Sequence, residues 1–208
     1  MEAIVGPAKR FSSETMRVIY ERRAVRKYKD KPVGKDFIDQ VIDAGRMAPS
    51  AINKQPWRFY VLTDKALIQS FSKEIAAVAL KSFARKGIIN MFKTVVNLLD
   101  FPHGLNFHAM EDPVFHGAPV VIFITGSRYN EWAALDIGMC AQNMMLMAKS
   151  LGLDSCPVGF AKFVEKTKIF PRLKVPVSEK VFLAVILGYG DESPKLHERK
   201  KNNVDFIW

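Results

Sequence analysis

Cysteine is scarce in this chain: only Cys140 and Cys156 occur in 208 residues. Two thiols are too few for a disulfide framework or a built-in iron–sulfur cluster, and a reducing compartment suits them. Both sit among apolar neighbours and read as small core residues. Long apolar runs are also missing. The longest, Ala118–Ile124 and Val181–Leu187, fall far short of the ~20 residues that span a bilayer. Met1–Phe11 carries Glu2 and no apolar stretch of the kind that directs secretion. The expectation is a soluble cytoplasmic protein with no membrane partner.

Acid is in deficit, with 21 Asp and Glu against 31 Lys and Arg, for a formal net charge of +10. The basic residues are scattered, with dense spots at Arg22–Lys31 and Lys195–Lys201. A nucleic-acid surface more often forms one stripe interleaved with aromatics, so a small anionic ligand is favoured over nucleic acid. Catalytic signatures are likewise absent. No serine sits in a nucleophile elbow, and neither cysteine has a histidine partner by motif. Gly188-x-Gly190 lacks the third glycine and the following helix of a dinucleotide fingerprint. His103, His108, Glu111, Asp112 and His116 lie close together in a spacing that matches no common zinc or iron pattern, and no metal is expected.

What the chain does hold is an irregular alternation of helices and a few strands, which indicates an α+β fold rather than a doubly wound sheet. Ser12, Ser13 and Glu14 start a helix whose Met16, Ile19, Tyr20 and Arg23 share one face. A second helix covers Lys35–Met47, burying Phe37, Ile38, Val41 and Ile42, and Pro49 stops it. A strand at Trp57–Thr63 follows, then a helix over about Lys65–Arg85 with Leu67, Ile68, Phe71 and Ile75 inward. Residues 86–115 lack clean periodicity and read as a lid or arm. Pro119–Thr125 and Lys180–Leu187 are buried strands, and between them Trp132–Leu151 is a helix apolar on most faces, suited to a dimer core.

Two constellations stand out. Arg22 and Arg26, four apart, can point the same way and form a fork for a phosphate, with Arg199, Lys200 and Lys201 closing from the other end of the chain. The same residues also fit a pair of solvated charged faces. The loop Pro49–Trp57 holds Ser50, Asn53 and Gln55 between two prolines. It suits either a flat polar ligand or an ordinary helix-to-strand turn.

Taken in order, these segments resemble a known family. Glu21-Arg22-Arg23-x-x-Arg26-Lys27-Tyr28 is followed by Ala48-Pro49-Ser50-x-x-Asn53-x-Gln55-Pro56-Trp57 and by Asp136-x-Gly138-x-x-x-Gln142-Asn143. Pro157-Val158-Gly159-Phe160 and Leu187-Gly188-Tyr189-Gly190 complete the series. This order and spacing resembles the FMN-dependent nitroreductases over nearly the whole chain from Ser12 onward.

The resemblance implies a single domain over 1–208 with a mostly antiparallel central sheet flanked by helices. It implies a two-fold dimer, a variable lid at about 86–116 and a C-terminal arm at about 191–208. The implied cofactor is FMN, with NADH or NADPH as donor and a small nitroaromatic or quinone as acceptor, in ping-pong turnover. Arg22, Arg23, Ala24 and Arg26 would hold the flavin phosphate from one side, and Arg199 with Lys200 from the other. Pro49, Ser50, Ala51, Asn53 and Gln55 would meet the cofactor, often from the opposite subunit. Gly159 would offer its backbone N–H to the reactive nitrogen, with Pro157 and Val158 lining one face of the ring. Other flavin chemistry known in the family, reductive dehalogenation or flavin fragmentation, is an alternative, as is a non-catalytic basic binding protein. The chain departs from the common pattern at Ala24, where a serine is frequent, at Val158, where some members are acidic, and throughout 86–115.

Overall fold

A computed structural model describes residues 12–85, 111–200 and 202–208. Helix α1 (Glu14–Glu21) begins where the sequence places it: the Ser13 hydroxyl accepts the Met16 N–H at 3.2 Å, and Glu14 occupies the positive first turn. Arg17 bridges Glu14 and Glu21 along its outer face. Of its apolar residues only Val18 is buried, while Met16, Ile19 and Tyr20 are exposed in the single chain. Helix α2 (Lys35–Arg46) buries Ile38, Val41 and Ile42 as read, with Phe37 half-buried.

Strand β1 (Arg58–Leu62) follows, then α3 (Lys65–Arg85), β2 (Val120–Ser127), α4 (Ala133–Ser150), β3 (Asp154–Val158) and β4 (Glu179–Gly188). The four strands form one antiparallel sheet in the order β1-β2-β4-β3. β2 pairs Val120 with Leu187 and Phe123 with Ala184, and a bulge at Ile124/Thr125 shifts the register near the far end. The two central strands are buried on both faces, which is why they read as unbroken apolar runs. Their period of two sorts the side chains into two cores. Val120, Ile122, Ile124, Val185 and Leu187 pack with α2 and α4 on one side. Val121, Phe123, Ala184 and Ile186 pack on the other with Ile68, Phe71 and Ile75 of α3.

Strand β3 was not foreseen, because Asp154-Ser-Cys-Pro-Val carries polar residues and a proline. It lies at the sheet edge, where proline needs no ladder partner for a missing N–H. Two short 3-10 helices, Gly159–Lys166 and Phe170–Leu173, lead from β3 to β4. Glu74 of α3 accepts the Lys168 and Ile169 N–H groups at 2.8 and 3.3 Å and fixes that connection.

Of the segment expected to be a lid, residues 86–110 lie outside the described residues. Its last part is core: Val114 and Phe115 are buried, and the Asp112 carboxylate accepts the N–H groups of Phe115 and Gly117, both at 2.9 Å. Residues 202–208 form no helix or strand, and Val204, Phe206, Ile207 and Trp208 are exposed.

Gly188 closes β4 in a crowded spot. A Cβ there would lie 2.6 Å from Pro119 Cδ and 3.0 Å from Tyr28 Cδ1, both in rigid rings. Gly188→Ala is therefore expected to destabilise the fold by about 1–3 kcal/mol, as overpacking does. Thermal melting is expected to show a fall in midpoint of several degrees, and an unchanged midpoint would refute the close packing.

Candidate anion and cofactor site

The chain leaves α1 at Arg22, where the backbone turns extended. It then runs beside β3 and the strand exit. Ala24 bridges Ser155, Val25 N–H donates to Ser155 O at 3.2 Å, and Lys29 N–H donates to Tyr189 O at 2.9 Å. Asp191 N–H donates to Lys27 O at 2.8 Å, and Arg26 N–H donates to the Glu192 carboxylate. The half-buried ring of Tyr28 locks the turn by donating its hydroxyl to Val25 O at 2.7 Å. These bonds carry Arg22 and Arg26 up to the start of the C-terminal segment.

Arg22 lies there in the field of Arg23 and Arg199, while the Glu192 carboxylate sits at the Arg26 backbone N–H. Burial, then the field of Arg23, push the half-buried Arg22 guanidinium below its usual value, and Arg199 acts in the same sense. Among the described residues no carboxylate is ion-paired with Arg22, Arg26 or Arg199. Like charges held together and partly desolvated are unfavourable, and an anion relieves them. Arg22 and Arg199, from opposite ends of the chain, are near enough to repel one another. Burial pushes the neighbouring Cys156 thiol up, while Arg26 and Arg22 pull it back. Burial and then Arg26 hold His116 down at about 4.

Arg23 behaves differently from its neighbours. Its Nη1 donates to Tyr20 O at 2.6 Å and Arg22 O at 2.8 Å, so the side chain caps the end of α1. It lines a separate cleft of about 460 Å³ with Lys149, Asp154 and Glu192. Arg199 Nη1 donates to His197 O at 2.9 Å, and Lys200 is exposed beside it. Ala24 is half-buried in its bridge and supplies no hydroxyl.

The loop after α2 is held in an uncommon shape. Ile52, Asn53 and Gln55 have φ of 47°, 56° and 45°, left-handed values that non-glycine residues rarely adopt. Ser50 Oγ accepts the Gln55 N–H at 2.9 Å, Gln55 Nε2 donates to Asn53 Oδ1 at 2.9 Å, and Ala51 N–H donates to Asp136 Oδ1 at 3.3 Å. Pro49, Asn53 and Gln55 are exposed, while Ser50 and Ala51 are half-buried. Strain of this kind gathers at binding sites. No hydrogen bond or ion pair among the described residues joins this loop to the arginines.

At the end of β3, Pro157 is exposed and Val158 is buried in the α3-side core. The Val158 side chain packs in that core. Gly159 is exposed, begins the 3-10 helix, and has open space where a Cβ would stand. First-turn amides have no partner inside their own helix, so its N–H is suited to a ligand atom. Asp136, Cys156, His116 and Glu192 were not singled out as site residues. Their place here comes from tertiary packing and has no local signature.

The position of His116 has a measurable consequence. Its folded value of about 4 lies below the ordinary 6.5, so the unfolded chain binds the extra proton between those values. Stability is expected to be flat above pH 6.5 and to fall as the pH drops toward 4, by up to roughly 3 kcal/mol. Urea titrations across that window should show a shallower fall for His116→Asn, since asparagine tolerates the residue's φ of 58°. An identical fall in the variant would place the proton elsewhere.

Comparison with known proteins agrees with this geometry. The model of the nitroreductase family matches residues 19–189. A 4-nitrobenzoate reductase of Pseudomonas putida is 33% identical over 201 residues, covering 85% of this chain and 85% of its own. A chloronitrobenzene nitroreductase of Comamonas testosteroni is 26% identical, covering 90% of this chain and 92% of its own. Among solved structures, a nitroreductase with bound FMN from Bacteroides fragilis superposes with a TM-score of 0.75 at 24% identity, over 94% of this chain and all of the other. With a family match over most of its length and the antiparallel α+β architecture to go with it, the chain belongs to the nitroreductase family.

Proposed function

We propose that this oxidoreductase binds FMN and passes electrons from NADH or NADPH to a small acceptor such as a nitroaromatic or a quinone. One observation carries the reading: the half-buried Arg22 lies in the field of Arg23 and of Arg199 from the other end of the chain, and no carboxylate is ion-paired to Arg22, Arg26 or Arg199 among the described residues. A phosphate with close to two negative charges fits that cluster through charge-assisted bonds. FMN, when bound, supplies the two-electron chemistry.

The chain's own residues bind and orient. Arg22 and Arg26 hold the phosphate on one side, and Arg199 with Lys200 on the other. The exposed Gly159 N–H would donate to the flavin ring, where a donor stabilises negative charge. Pro157, exposed beside it, would line the same site. Ser50, Ala51 and Asn53, with Pro49 and Gln55 beside them, complete the site from a second copy of the chain. A homodimer explains why the loop makes no bond to the arginines within one chain. It also gives the exposed Met16, Ile19 and Tyr20 of α1 and the apolar arm Val204–Trp208 something to cover. The net charge of +10 draws the phosphates of the nicotinamide donor toward the site.

The acceptor class follows the named relatives, which are reductases of 4-nitrobenzoate, chloronitrobenzene and nitrobenzene. Among the described residues no helix is long and apolar enough to cross a membrane, and we place the enzyme in the cytoplasm.

The purified protein is expected to be yellow, with bands near ~370 and ~450 nm that bleach when NADH or NADPH is added without oxygen. Initial rates with donor and nitroaromatic should give parallel double-reciprocal lines. Arg22→Ala or Arg26→Ala should weaken FMN binding by about 10- to 100-fold, the scale of one lost charged hydrogen bond. A colourless protein that takes up no FMN would overturn the reading.

A further inference from the structure

Asp136 lies in the first turn of α4, where an acid usually faces water and complements the helix dipole. Here it is buried, with 1% of its surface exposed, and no cation pairs with it among the described residues. Burying a carboxylate without a partner charge is unfavourable. Its Oδ1 accepts the N–H of Ala51, 85 residues earlier in the chain, at 3.3 Å, and its Oδ2 has no partner. Complementing the helix dipole asks only for an exposed acid, so the helix alone does not account for a buried one.

The loop it touches does. Ala51 opens the turn in which Ile52, Asn53 and Gln55 take left-handed backbone values, and Ile52 is β-branched, the class least suited to them. Such a conformation persists only when its surroundings over-determine it. The bonds between Ser50, Asn53 and Gln55 are internal to the loop and cannot fix it to the body. Two contacts do. At the far end, Pro56 O lies close to Gly126 of β2, where a Cβ would come within 3.2 Å of it and within 2.8 Å of Ile137 Cδ1. At the near end the anchor is the Asp136–Ala51 bond, one residue along α4 from that packing point.

We infer that Asp136 is a positioning residue: through Oδ1 it holds residues 50–55 in the shape that meets the flavin. The link to flavin rests on the function proposed above; the link to the loop does not. Two variants separate the contact from general stability. Asp136→Ala removes the acceptor, and Asp136→Asn keeps an oxygen of the same reach. Ala51→Pro removes the donor instead, without altering the core.

Hydrogen exchange with mass spectrometry reads the loop directly, whether or not flavin binds. Asp136→Ala and Ala51→Pro are expected to lose protection in residues 50–55 while α4 and the sheet keep theirs, and Asp136→Asn should restore it. In the flavin-loaded protein, Asp136→Ala should weaken FMN binding about tenfold, as expected for one hydrogen bond, and alter the visible circular dichroism of the flavin. Asp136→Asn should stay within about threefold of the parent. Protection lost evenly across α4 and the sheet, or a loop unchanged in Asp136→Ala, would overturn the inference. So would an Asn variant as impaired as the Ala variant. If Asp136→Ala does not fold, the exchange pattern of Ala51→Pro decides. A parent protein without flavin would refute the proposed function and leave the exchange result to stand or fall by itself.

Discussion

Three main-chain hydrogen bonds tie residues 25–29 to Ser155 and to Tyr189–Asp191, and the electrostatics of the molecule follow from them. Without them Arg22 and Arg26 would be helix-end cations in open water, and Arg199 would be a basic residue on a tail. With them, the half-buried Arg22 lies in the field of the exposed Arg199 from the other end of the chain. The tie is itself well supported. Tyr28 reaches back to Val25, Glu192 accepts the Arg26 N–H, and Gly188 leaves room for the Tyr28 ring against Pro119. A backbone tie suits this task because it does not depend on the charges it gathers. Side-chain ion pairs could not hold three like charges together.

The sheet supplies the rigid frame for that tie. β2 and β4 are buried on both faces, so their register is set by two cores at once, and a one-residue slip would misplace both. β3 pairs along its length with β4 and is bridged at Ser155 by Ala24 and Val25, and its exposed end presents Pro157 and Gly159. The site residues thus come from the ends of well-packed elements, while chemistry is left to exposed backbone and to cations.

Much of this was legible in the order of residues. The Ser13 cap, the buried stripe of α2, the apolar runs of β2 and β4 and the inward face of α3 all follow from local pattern: a cap residue, a helical stripe, or an unbroken run buried on both faces. β3 escaped because an edge strand has only one neighbour and tolerates proline. Val158 read as part of a ligand-facing motif, yet strand alternation turns it into the core. The basic spots, and the closing of one on the other around an anion, were readable as one alternative; the backbone tie from Arg26 to Glu192 was not, since it joins residues 166 positions apart. Asp136 stood in a quoted motif without a role. Its meaning lies in a loop 85 residues away that no window on the sequence brings near it.

The two cysteines lie on opposite sides of the sheet, Cys140 in the core built on α2 and α4 and Cys156 in the core built on α3. Burial lifts both thiols above their ordinary range, Cys140 to about 12, so neither is a nucleophile while its core is closed. Alkylation then waits on opening, and each half of the molecule carries its own clock. A reagent of known intrinsic rate, applied to single-cysteine versions of the chain, times the breathing of the two layers separately and tells which one lets go first.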